Sequence, residues 1–314
     1  MVFFSKAKKK QGSLTVAVQA NGFAVASVRR VTDSKPVVDL AGFFPAAVDQ
    51  LGEVLATLAK DLKAPGYHIG TLLAGGEYQI LSVEAPNVPA EEMKTAVRWR
   101  LKDMLDFHVD DATIDVVDIP VDKNSPSQAH QMFVVAARNA VVETRQNLFA
   151  LAGAGLSVID IPEMAQRNLS TLAQGDGRGL AMLSFDADGG LLTVSCGGEL
   201  YLSRRMDVTL AQLMEPDPNR LQSWHDKITL ELQRSLDHFD RQYHYINVGK
   251  LMLAPNPAAG LHEYLAQNLY MPVEKFNLAD VLDLGAAPEL LDIEQQQRFF
   301  LALGAALRQD EVTL

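Results

Sequence analysis

The sequence predicts a two-lobed α/β fold made of two related halves. Three observations carry this. Each half opens with strand-patterned runs joined by tight glycine-containing turns: 14–19 and 23–31 around Ala20-Asn21-Gly22, then 180–185 and 191–196 around residues 186–190. The opening runs of each half end in paired arginines, Arg29-Arg30 and Arg204-Arg205. Each half then alternates helical and strand patterns, and a repeated mixed half of this kind suggests two lobes facing across a cleft.

In chain order, residues 46–63 follow Pro45 and carry Val48, Leu51, Val54, Leu55, Leu58 and Leu62 at helical spacing. Residues 67–73 and 78–84 read as strands. Pro86 and Pro89 bracket a loop, and a helix is expected over 90–107. Strands at 113–119 and 131–137 flank the polar loop VDKNSPSQAH. A helix at 140–152 stops at Gly153, a strand follows at 156–161, and a connecting helix spans 163–173. The second half adds a long helix at 219–245, a strand at 250–254, a helix at 260–269, a strand at 272–276 and a final helix at 292–308. The expected organisation is a basic tail (1–13), a first lobe (14–174) with an inserted subdomain over about 78–137, and a second lobe (175–314). The final helix is expected to pack back on the first lobe.

Composition narrows the function. Net charge is -11 and the sequence pI about 5.1, which disfavours nucleic acid as a partner. Cys196 is the one cysteine, so no internal disulfide can form and a reducing compartment is suited. In the run LLTVSC it reads as a small buried hydrophobe. The longest apolar run, 299–307, is far shorter than the roughly 20 residues that span a bilayer. MVFFSKAKKK lacks the apolar stretch of a secretory signal. Its Phe3, Phe4 and lysines 6, 8, 9 and 10 suit a solvated tail or contact with an anionic leaflet. The expected location is the cytoplasm. His238 and His244 lie six apart, not the four that would make a metal pair on one helix face, so no metal site is expected, and no catalytic constellation has a local signature.

The stretch LSFDADGG (183–190) concentrates the functional question. Backbone N–H groups of such a turn can bind phosphate, and the residues concerned are Asp186, Asp188, Gly189 and Gly190. A phospho-aspartate loop leads into a helix, whereas LLTVSC reads as a strand. A calcium loop needs an acid or Asn at its fifth position and Glu at its twelfth, where Gly190 and Gly197 stand. A plain hairpin turn shaped by Asp and Gly is the remaining alternative.

A longer resemblance supplies context. ITLELQRSLDHFD (228–240), EEMKTAVRWRLKDMLDFHVDD (91–111) and QMFVVAARNAVVETRQNLFALAGAGLSVIDIPEM (131–164) resemble, in order, segments of PilM-type pilus-assembly proteins. With the hairpin in its matching place, the resemblance covers about 14–308. It implies a bilobed actin-like (ASKHA) fold and a cytoplasmic platform subunit of a type IV pilus machine, recruited to the inner membrane. It also implies ATP in the interlobe cleft and a PilN-like inner-membrane partner bound through a short cytoplasmic tail. The pilus motor ATPase is a further expected contact. The implied cofactor-binding residues are Asp186, Asp188, Gly189 and Gly190, with Glu231 and Arg234 of the long helix placed to approach an adenosine, the alternative for these two being an ordinary solvated salt-bridging role.

The sequence departs from the nucleotide-binding pattern at two places. Gln19 stands where relatives carry a phosphate-turn acid, and a neutral amide cannot hold Mg²⁺ as a carboxylate does. LMLAPNPAAG stands where relatives have a glycine-rich adenosine turn; proline lacks an N–H, and side chains block close backbone approach. Weak or absent ATP/Mg binding and a degenerate ATPase are therefore expected. For the partner tail, helix 90–107 offers a basic stripe (Lys94, Arg98, Lys102) and two aromatics, Trp99 and Phe107. Arg98, Trp99 and Phe107 are the expected partner-binding residues, the alternative being a solvated face and core filling.

Overall fold

The computed structural model describes residues 12–121, 130–175 and 177–309. The basic tail up to Gln11 and most of the polar loop, 122–129, lie outside them.

The first half runs β1 (Ser13–Gln19), β2 (Gly22–Arg29), β3 (Val37–Pro45), α1 (Leu51–Asp61) and β4 (His68–Leu72). It continues with β5 (Tyr78–Glu84), α2 (Met93–Leu101), β6 (Ala112–Asp118), β7 (Gln131–Arg138), α3 (Asn139–Leu151), β8 (Leu156–Asp160) and α4 (Pro162–Ala173). The second half runs β9 (Gly179–Phe185), β10 (Gly190–Cys196), β11 (Glu199–Met206), α5 (Leu210–Leu213) and α6 (Pro218–Gln242). It ends with β12 (Val248–Leu253), α7 (Leu261–Asn268), β13 (Val273–Lys275), α8 (Leu278–Val281) and α9 (Ile293–Ala306).

Two five-stranded sheets share one plan. Their orders are β3-β2-β1-β4-β8 and β11-β10-β9-β12-β13. In each, three antiparallel strands are followed by two parallel ones. This is the duplication expected from the two hairpin-led halves. A third sheet, β5-β7-β6, is inserted in sequence between β4 and β8.

The cores follow from the periodicities. The alternate residues Leu14, Val16, Phe23 and Val25 of the first sheet pack on Leu55 and Leu58 of α1 and Phe149 of α3. The opposite face of the same strands, including Ala24, Ala26 and Val28, packs with Phe299, Phe300 and Leu303 of α9 and Leu169 of α4. Ile228, Leu232, Leu236 and Phe239, at helical spacing on one face of α6, cover the second sheet. Helix α9 therefore lies against β1, β2 and β4 of the first sheet and against α4.

Four local readings are corrected. Strand β3 was not foreseen: it is an edge strand, mostly half-buried, so its run VVDLAGFFP lacks clean alternation. Helix α2 ends at Leu101, not 107; Met104 and Leu105 continue the spacing but sit in a turn whose amides return to the Leu101 carbonyl. Cys196 ends β10 partly exposed and is not fully buried. The Asn-Gly turn also works differently. Gln19 pairs with Gly22, so the loop is Ala20-Asn21. Gly22 lies in the strand at φ +146°, where a Cβ would come within 2.2 Å of the Phe44 carbonyl oxygen. Close approach of β3 requires the glycine there.

Candidate functional site

The two opening hairpins bring their turns to one cleft. A cavity of about 380 Å³ lies between them, with Gln19 and Asn21 on one side, Asp186 and Asp188 on the other, and Gln297 and Arg298 of α9 also lining it. The structure thus brings the predicted acids Asp186 and Asp188 opposite the first hairpin.

The chemistry of the second turn is set by its own aspartates. Asp186 Oδ1 accepts the backbone N–H groups of Asp188 (2.8 Å) and Gly189 (3.1 Å). Asp188 Oδ2 accepts the N–H of Gly75, 2.8 Å away in the loop after β4. Those three donors are the ones a phosphate would seek, and carboxylates of the chain already satisfy them. Burial pushes the Asp186 carboxyl above its ordinary value, against the lowering effect of the N–H groups it accepts. Across the cleft, Gln19 donates through Nε2 to the Arg298 carbonyl at 3.0 Å, and the Arg298 guanidinium stacks on Phe43, 4.4 Å from the ring centre. Gly189, at φ +130°, leaves no room for a Cβ, which would approach Met206 O to 2.5 Å. At Gly190 a Cβ would meet the Phe185 ring at 2.7 Å. Both glycines are explained by strand packing alone.

The remaining predicted nucleotide contacts do not converge on this turn. Glu231 and Arg234 pair with each other along α6 at 3.6 Å, both side chains solvent-accessible, and neither lines the Asp186 cavity. The stretch after β12 closes on itself: Asn256 Oδ1 accepts the Ala258 N–H at 2.8 Å. Beside it a second cavity of about 580 Å³ is lined by Asn256, His262, Glu263, Lys275 and Phe276.

The three predicted partner residues separate. Arg98 donates to the carbonyls of Val109 (2.6 Å) and Ala112 (3.0 Å), bracing the entry to β6. Phe107 lies under the Arg138 guanidinium, 4.4 Å from its centre, and packs on the small sheet's core. Trp99 is 78% exposed. The basic stripe is likewise divided, because Lys94 pairs with Asp115 of β6 at 2.8 Å.

Sequence reasoning missed a buried polar cluster beside the cleft. Glu163, at the start of α4, is fully buried. It accepts the Tyr78 hydroxyl, the Arg205 guanidinium (3.2 Å) and the Ser203 hydroxyl (3.4 Å). Arg205 also donates to Tyr78 Oη. Burial, with the Glu163 charge assisting, pushes the Tyr78 phenol well above its usual value, so it stays protonated. The paired arginines were a visible signal for Arg205. Glu163 had none, since an acid in a helix's first turn is ordinary on a surface.

No family model matches the chain, and no curated protein matches it. Solved structures do. A chain of a PilM–PilN type IV pilus biogenesis complex aligns with a TM-score of 0.75 and 19% identity, over 95% of this chain and 98% of that one. The cytoplasmic domain of EpsL, an inner-membrane component of the type II secretion system of Vibrio cholerae, aligns at TM-score 0.49 and 13% identity, over 95% of both chains. A Bacteroides thetaiotaomicron protein with an actin-like ATPase fold aligns at TM-score 0.49 and 10% identity, over 91% of this chain and 97% of that one. The first likeness, with the duplicated sheet plan, establishes the bilobed actin-like fold.

Proposed function

We propose that this chain is a platform subunit of a type IV pilus machine, held at the cytoplasmic face of the inner membrane by a PilN-like partner. The observation that carries this is the end-to-end likeness to a structure of the PilM–PilN pilus complex. The stretch 78–120 resembles the MSHA pilus biogenesis protein MshI, and we assign the chain to that kind of machine. Attachment runs through the partner: among the described residues no helix is long and apolar enough to cross a membrane.

The partner's short cytoplasmic tail binds the first lobe near residues 78–137. Trp99 supports this best, as a large exposed aromatic beside the small sheet. Arg98 supports it only by holding α2 on β6. In a fluorescence-polarisation titration with the tail peptide, Trp99→Ala weakens binding at least about tenfold, the loss of an interface hot spot. Crosslinks from the peptide confined to 180–300 would overturn the assignment.

The cleft does not fit Mg-ATP. Its turn donors already meet carboxylates, Asp186 and Asp188 add negative charge where a triphosphate would lie, and Gln19 supplies no metal ligand. The chain therefore works as a pseudo-ATPase scaffold. The competing reading, an ATP-driven switch of a pilus or type II secretion machine, predicts Mg-dependent heat in calorimetry and turnover that Asp186→Ala abolishes. The scaffold reading predicts neither.

A further inference from the structure

The small sheet is inserted in the first half of the chain, yet its side chains join the second lobe's core. Ile119 and Phe133 belong to the same buried cluster as Leu202 of β11 and Tyr243 after α6, and Tyr245 Oη donates to the Pro120 carbonyl at 3.4 Å. The segment linking β4 to this sheet, residues 73–78, is tied to both lobes. Leu73 N–H donates to Asp160 O at 3.0 Å. Ala74 N–H donates to Glu77 Oε2 at 2.8 Å, and Glu77 pairs with Arg145 of α3 at 2.7 Å. Gly75 N–H donates to Asp188, and Tyr78 is bound to Glu163 and Arg205. The Arg205 guanidinium packs against Gly75, where a Cβ would come within 2.6 Å of its Nη1.

We propose that residues 74–78 form an interlobe clasp, closed by Asp188 and Arg205 of the second lobe without any nucleotide. The Asp188 carboxylate does from within the chain what a bound anion would do between two lobes: it accepts a first-lobe N–H. Arg205 makes the clasp a transmitter as well as a lock. One guanidinium touches both Gly75 and Tyr78, so displacement of the start of β5 pulls Arg205 off Gly75 and loosens the Asp188 contact. Loosening at Asp188 frees β5 in turn, because the coupling is one equilibrium read from either end. A ligand that shifts the small sheet is thereby reported at the turn 186–189. The proposal stands on these contacts and does not depend on which partner the chain serves.

Hydrogen–deuterium exchange of the full chain tests it with two variants, one at each end. Asp188 is exposed in a turn, so Asp188→Ala folds. It should raise exchange at least about fivefold in residues 73–80, beyond the one amide it releases. Tyr78→Phe keeps the ring and removes the hydroxyl. It should raise exchange by a similar factor in residues 186–189, since the Tyr78 hydroxyl bonds to Glu163 and Arg205 and not to that turn. In both variants α1 and α6 should exchange as in the parent protein. Changes confined to the mutated side, in either variant, overturn the clasp. So does a uniform rise across α1 and α6 in Asp188→Ala, which would mean loosening of the whole fold.

Discussion

Asp186 holds a charge where burial disfavours it. Its folded carboxyl titrates above its ordinary value, so its contribution favours the fold below the unfolded pKa and is lost as pH rises through the folded one. At neutral pH the charge is therefore a cost, while its oxygen still organises the turn. Asp186→Asn keeps the acceptor and removes the charge; its urea midpoint at pH 7 should equal or exceed that of the parent. Asp186→Ala leaves two N–H groups unpaired and should lose about 1–3 kcal/mol. His225 has the opposite sign. Burial lowers its pKa from 6.5, with Asp226 opposing, and its Nε2 has no partner among the described residues. The Tyr264 ring, 5.0 Å away, adds no charge. Below pH ~6.5 the unfolded chain takes up a proton that the folded chain refuses, so stability falls as pH drops through that window. Urea melts at pH 7.5 and 5.5 should show a smaller difference for His225→Gln than for the parent. At this scale the sequence was half legible. The acids and glycines of LSFDADGG were visible, but not what they bind. Asp188 meets Gly75, 113 positions away, and Glu163 meets Tyr78 and Arg205 across three elements. No local pattern encodes such pairings.

Among the elements, α4 and α9 cross with their backbones in contact. A Cβ on Gly304 would stand 2.2 Å from the Ala165 carbonyl oxygen, and Asn168 Nδ2 donates to the Gly304 carbonyl at 2.9 Å. The glycine lets two helices approach to backbone contact, and this contact is made by rigid main chain that cannot yield. Gly304→Ala should therefore lower stability by about 1–3 kcal/mol despite its better helix propensity, measurable as a drop in Tm by calorimetry. The positions of α9, α6 and the two opening hairpins were legible in the sequence. Strand β3 was not, because an edge strand flanked by solvent on one side carries a diluted alternation. The end of α2 was not, because Met104 and Leu105 keep the helical period after the backbone has turned away. Periodicity reports which side chains are apolar, and the path of the chain between them is decided by tertiary contacts such as Phe107 under Arg138.

For the whole molecule, the shared sheet order makes the two halves comparable, but they do not close alike. The second sheet is covered on one face by α6, which lies within its own half, while Leu180 and Met182 of β9 join the cluster that holds α4 and α9. The first sheet is covered on one face by α9, from the far end of the chain. Burying Phe299, Phe300 and Leu303 contributes roughly 1.5–3 kcal/mol each, a large part of the ~5–15 kcal/mol that holds a domain together. Ending the chain before Ile293 should leave the strands β1 and β2 open to limited proteolysis while α6 stays protected. The general plan of two hairpin-led halves was readable because turns and alternation are local; the cross-chain closure is not, since its partners are some 270 residues apart. That separation has a consequence in time. Synthesis at about 5–20 residues per second delivers α9 on the order of 15–60 s after β2. Until then the nascent first lobe presents Ala24, Ala26 and Val28 to solvent. The other face of that sheet has its partners α1 and α3 much earlier, so translation leaves one side of the first lobe waiting for the last helix.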